Sequence, residues 1–216
     1  NATGGRSPEE LLAQVKELMA KNQLGAGAVL GGLGAILLGT RTGRGVTTGA
    51  VKLGALALIG GLAYKAYQNH QAGKPLITGP QNAATEAPAG SGFEPAAISN
   101  DAAMHIIRAM IAAAAADGRI DDREYVRIVE SAGGAAASPE AKAFLEQELR
   151  SPATAASLAA SVNSAEEALQ VYTAARVAID SDNASETGFL AELAASLGID
   201  PDLARQVDAT AKSTAA

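Results

Sequence analysis

Cysteine and tryptophan are absent from this 216-residue chain, and it has only 4 Tyr, 3 Phe and 2 His. Without Cys there is no disulfide framework and no thiolate metal site, and cysteine usage says nothing of redox compartment. With aromatics at 3% of residues, any core must be built from aliphatic and small side chains. Val, Ile and Thr are too scattered to build strands, whereas Ala is abundant, so the composition predicts an all-α protein of one or two domains.

A third absence is local. Between Glu17 and Glu86 there is no acidic side chain, while Lys21, Arg41, Arg44, Lys52, Lys65 and Lys74 all fall there. The remainder holds all 23 acids and 11 of the 17 bases, so the formal charge divides into +6 for this stretch and -12 for the rest, giving the total of -6. This asymmetry predicts a membrane-associated part joined to an acidic, water-exposed part.

The acid-free stretch also holds two glycine-rich apolar runs. Ser7, Pro8 and Glu10 form the start signal of a short amphipathic helix that ends near Asn22. Residues 24–40 are uncharged, residues 41–44 are a Gly/Thr turn with two cations, and residues 46–67 are apolar apart from Lys52, Lys65 and small polar side chains. A helical hairpin is the natural parse. At 1.5 Å per residue the first run would reach about 25 Å, a little under a hydrocarbon core of about 30 Å, and the second spans only if Lys52 snorkels. The four-residue spacings Gly27/Gly31 and Gly45/Gly49 would let helix backbones touch in lipid, so self-association is expected too. Tyr64 and Tyr67 beside Lys65 read equally as interfacial anchors or as an ordinary helix end. Cations occur in the turn and in both flanks, so the positive-inside rule selects neither side. A nucleotide loop is excluded, because Leu37 occupies the third glycine position after Gly32 and Gly34 and no Gly-Lys-Ser/Thr follows.

Pro75, Pro80, Pro88 and Pro95 among Gly, Ala, Ser and Thr give residues 73–98 the composition of a flexible linker. The expected domains are therefore 1–72, a membrane-associated helical segment, the linker 73–98, and a helical domain 99–216. Within the last, stop and start signals predict about seven short helices. Ala103, Ile106, Ile107, Met110 and Ile111 give the first a single buried face, and it stops at Asp117-Gly118. A second is capped by Asp121, a third starts at Ser138-Pro139, a fourth at Ser151-Pro152, and a fifth at Ser164 with Glu167. A sixth runs from Ser185 to Gly198 and a last begins at Asp200-Pro201. Asn100 to Asp117 and Asn163 to Asp180 enclose the same length of chain, an internal echo of helix, acidic turn, helix.

The run 117–124 (Asp-Gly-Arg-Ile-Asp-Asp-Arg-Glu) after an Ala-rich helix, with 144–149, 178–180, 189–194 and 197–200, resembles the bacterial domain-of-unknown-function family 533, placed with the TerB-like (tellurite-resistance B) helical domains. Gly-rich segments followed by Gly60-Gly61-Leu62-Ala63-Tyr64-Lys65 look like that family's membrane-proximal region. The resemblance implies a compact helical bundle in a bacterial, inner-membrane protein, an association with stress responses, and acidic sites for divalent metal.

The acidic turns are the candidate site. Asp117, Asp121, Asp122 and Glu124 in one, with Asp180, Asp182 and Glu186 in the other, offer only oxygen ligands, which suit Ca²⁺ or Mg²⁺ rather than zinc or copper. Neither turn has the glycine and glutamate of the twelve-residue calcium loop, and acids in a first helical turn are favoured by the dipole without any metal. Capping and cation binding thus compete for the same carboxylates. No nucleophile accompanies them, and His70 and His105 are isolated, His105 at a core edge, so the sequence reads as non-enzymatic with no cofactor assigned beyond Ca²⁺ or Mg²⁺. Arg108, Arg119, Arg123 and Arg127 are expected to pair with these acids. Residues 87–216 hold 19 acids and 9 bases, which disfavours nucleic acid as a partner. The expected partners are a lipid bilayer, a second copy and an unidentified protein, and the expected role is a membrane-anchored interaction or stress-related module, or else a divalent-cation sensor.

Overall fold

The computed structural model describes residues 48–77, 85–116, 118, 139–179 and 184–215. Among them there is no strand, and seven α-helices follow in order: α1 Thr48–Gln71, α2 Asn100–Ala114, α3 Pro139–Arg150, α4 Ala155–Ser161, α5 Ala165–Val177, α6 Ala184–Ser196 and α7 Pro201–Ala215. The all-α class and the many short helices agree with the sequence. The amphipathic helix near residues 8–22, the first glycine-rich run and the helix after Asp121 lie outside the described residues.

Local chemistry explains most helix ends. Ser99 accepts from Ala102 N at 3.1 Å to cap α2, and Ser164 accepts from Glu167 N at the same distance to cap α5. Asp200 Oδ1 takes the N–H groups of Asp202 and Leu203 ahead of Pro201, which opens α7. After α6, Gly198 adopts φ +67° and Ile199 N reaches back to Ala194 O at 2.9 Å, a reversal that favours a residue without Cβ. The fourth helix departs from expectation. Ser151 N bonds to Gln147 O and so closes α3, Pro152 follows, and α4 begins three residues later under a Thr154 cap.

Two helices are enclosed on nearly all sides, and a third is enclosed over part of its length. All but three of the fifteen residues of α2 are buried, as is every residue of α5 from Glu167 to Arg176. The predicted single buried face of α2 is thus corrected to burial all round, because alanines on its other sides let neighbours approach closely. The third is α1, where residues 56–63 are buried without a break. Helix α1 packs against α5 and α7, α2 packs against α5, and α6 covers α4. One hydrophobic core includes Ile59 and Leu62 of α1, Ile106 and Met110 of α2, Leu145 of α3, Leu158 of α4, Leu169 of α5, Leu193 of α6 and Val207 of α7.

Residues 56–66 of the second glycine-rich run share one core with the C-terminal helices, and among the described residues no helix is long and apolar enough to cross a membrane. Nor is all of 73–98 a loose linker. Residues 85–98 form a strap across α1 that buries Ala87, Phe93 and Ile98. A Cβ on Gly60 would sit 2.0 Å from the carbonyl oxygen of Phe93, and one on Gly61 would sit 2.1 Å from that of Thr85. These two glycines permit backbone contact between helix and strap within one chain, whereas the Gly27/Gly31 spacing lies outside the described residues. Phe93 is further held between Tyr64 and Tyr67, with ring centroids 5.9 and 5.8 Å away. The carboxylate of Glu94 accepts from Gly90 N and Ser91 Oγ and closes the bend that precedes the short 3-10 turn Pro95–Ala97.

Candidate functional site

Helices enclosed on every side cannot leave a charge unmatched, and the buried ionisable groups follow that rule. On α2, His105 Nδ1 lies 2.7 Å from Glu167 Oε1 of α5, the two side chains being 8% and 11% exposed. The other Glu167 oxygen accepts from Asn163 N at 3.0 Å while Glu167 N donates to Ser164 Oγ, so one carboxylate caps α5 and ties it to α2.

One turn further along α2, Arg108 Nε donates to Glu148 Oε1 of α3 at 3.0 Å. The second oxygen, Oε2, is buried and has no hydrogen-bond partner among the described residues. Burial pushes the Glu148 carboxyl above its ordinary range, and the adjacent Arg108 only partly offsets this.

The third group joins α5 to α7. Arg176 Nε lies 3.2 Å from Asp208 Oδ1, which also accepts from the Tyr172 hydroxyl at 3.3 Å, and Arg176 Nη1 donates to the carbonyl of Ile179 at 3.0 Å. Burial raises Asp208 against the pull of Arg176. Burial, and then the negative charge of Asp208, moves the Tyr172 hydroxyl well above its usual range.

Of the seven acidic residues expected to bind a cation, Glu186 alone is described. It lies in the first turn of α6, is 5% exposed, and has an interaction partner. Asp117, Asp121, Asp122, Glu124, Asp180 and Asp182 lie outside the described residues. Their flanks are visible: Gly118 has φ +69° beside Asp117, and the carbonyl held by Arg176 belongs to the residue immediately before Asp180. Among the described residues no group of three or more His, Cys, Asp or Glu side chains could hold a metal ion.

The family described as "Protein of unknown function (DUF533)" matches residues 23–211. The chain belongs to the DUF533 family. No curated protein and no solved structure matches it. The match runs through α1, the strap and α2 to α6 and most of α7, so the DUF533 region coincides with the shared core rather than with the C-terminal helices alone.

Sequence reasoning placed Arg108 with the acidic turns, whereas it reaches 40 positions along the chain to Glu148, and Arg176 was not singled out. A signal was present: each arginine interrupts an apolar run, Ile107-Arg108-Ala109 and Ala175-Arg176-Val177. On a helix without a solvent face, a charge in such a run needs a partner on another helix.

Proposed function

We propose that this DUF533 protein is a non-enzymatic, membrane-associated bacterial module whose acidic bundle serves as a recognition surface. The observation that carries the non-enzymatic part is the use made of buried charge. Three pairs, His105–Glu167, Arg108–Glu148 and the buried Arg176 with the partly exposed Asp208, each run from one helix to another and commit those groups to holding the bundle. Membrane association draws on the charge division of the sequence and on the uncharged run 24–40, and self-association draws on the Gly27/Gly31 spacing there. Location at the bacterial inner membrane and a stress-related role follow from the TerB-like resemblance.

Cell fractionation without detergent tests the attachment: the protein is expected in the membrane pellet, and a fully soluble monomer would defeat the proposal. A second reading, a Ca²⁺ or Mg²⁺ sensor, is favoured by the burial of Glu186 at the head of α6, directly after the acidic segment 180–182. It predicts that either ion raises the melting temperature of the native protein and that Asp180→Asn weakens the effect. An unchanged melt in both ions removes it.

A further inference from the structure

Helix α7 covers α1 with an inner face unlike those of the other helices. It packs on α1 and α5 rather than on α6, the helix before it. Among the described residues only Val207 of α7 joins the shared core, with Leu203 and Ala204 packed against it and partly exposed. Beside them Gln206, Thr210 and Ser213, all buried, recur at one-turn spacing and form a polar line along the helix. Gln206 Nε2 donates to Lys74 O at 2.7 Å, which sets that line against the end of α1. Both hydroxyls donate within α7 itself, Thr210 Oγ1 to Gln206 O at 2.7 Å and Ser213 Oγ to Thr210 O at 2.8 Å. Their donor needs are met with or without α1 beside them.

The helix beneath is the opposite. From residue 53 to residue 64 α1 carries no charge, and Leu58, Ile59, Leu62 and Ala63 are buried. Separating two such faces has unequal consequences. Helix α7 meets water with groups that bond to it, and the Asp208 side chain is already 39% exposed, whereas α1 meets water with an apolar surface. The Arg176–Asp208 pair and the Gln206–Lys74 bond resist the separation. Gln206 Oε1, buried with no partner among the described residues, favours it.

We infer that α7 is a detachable cover, which opens as a unit while α2 and α5 stay folded, and that the side of α1 it uncovers is taken up by the apolar margin of a lipid bilayer. This rests on the membrane-associated reading above and adds a gate to it. Lipid suits this side of α1, because no charge between residues 53 and 64 would enter the hydrocarbon. No described helix is long and apolar enough to cross, so the contact runs along the bilayer surface.

Native-state hydrogen exchange of the full chain, followed amide by amide, tests the opening. The amides of α7 are expected to exchange together and at least about tenfold faster than those of α5. Val207→Ala removes the core anchor of α7 and should speed its exchange about tenfold further. Gln206→Met with Ser213→Ala makes the inner face apolar and should slow it. Unchanged exchange of α5 shows in each variant that the bundle is kept. Flotation with limiting mixed phosphatidylglycerol and phosphatidylcholine vesicles should follow the same order, more Val207→Ala and less of the double variant floating than the parent protein. If α7 exchanges only together with α5, the detachable cover is overturned. If α7 opens early but all three proteins float alike, lipid contact by α1 is overturned and attachment through residues before Thr48 stands. A Val207→Ala protein that dimerises instead of floating overturns lipid as the occupant. Should none of the three float, this inference and the membrane reading fall together.

Discussion

Glu148 is a buried carboxylate with one oxygen on Arg108 and the other without a partner among the described residues. Removing Arg108 leaves an uncompensated buried charge, a loss of about 3–5 kcal/mol by analogy with other buried pairs. Replacing both partners with apolar side chains of similar size removes the desolvation cost as well. Arg108→Met is therefore expected to shift the urea midpoint strongly downward, and Arg108→Met with Glu148→Leu to return it to within about 1 kcal/mol of the parent protein or above it. Because burial raises the Glu148 carboxyl in the folded state, its contribution is fully present below the unfolded value near 4.5 and is lost as pH rises through the folded value. Stability measured from pH 4.5 upward should thus decline more steeply in the parent than in Glu148→Gln. Parallel slopes would show that the carboxyl is not raised. The apolar run around Arg108 shows that it needs a partner, but the identity of that partner is not legible in the sequence, since it depends on which helices meet.

Glycine has opposite meanings in two elements. In α1, Gly60 and Gly61 face backbone carbonyls too close for any Cβ, so Gly60→Ala must push the strap away despite the better helix propensity of alanine. Gly188 lies within α6, and among the described residues nothing beyond its own helix backbone comes within 4 Å of the position its Cβ would take. Gly188→Ala is expected to stabilise by about 0.5–1 kcal/mol, and Gly60→Ala to destabilise by about 1–3 kcal/mol, both read from denaturant melts. A stabilised Gly60→Ala would mean that the strap does not sit where described. Helix ends were the readable part of these elements, because Ser164, Asp200 and Gly198 act on bonds within their own turn. The placement of α1 was not readable. A helix apolar on all sides has the same sequence pattern whether lipid or protein surrounds it.

Across the whole molecule, the core includes α1 and the strap as well as the helices that follow. A fragment beginning at residue 99 loses Ile59, Leu62 and Phe93 from that core and uncovers α5 and α7. It is expected to melt without a sharp cooperative transition and to bind a hydrophobic dye, whereas a chain starting at Thr48 keeps both elements. A fragment from residue 99 with a cooperative melt equal to that of the longer chain would show that α1 is an accessory. The acidic turns stand at the other extreme of legibility: composition marked them at once, yet which of their carboxylates meet depends on chain reversals that local pattern does not encode.

The seat of α1 also sets an order of events at the ribosome. Its neighbour α7 begins 130 positions after α1 ends. At synthesis rates of roughly 5 to 20 residues per second, the finished α1 waits on the order of 6 to 26 seconds for that partner. During this interval the strap and α5 can reach α1 but the side that α7 covers stays open, so ribosome-bound chaperones and the membrane-insertion machinery compete for that apolar face before the bundle can close.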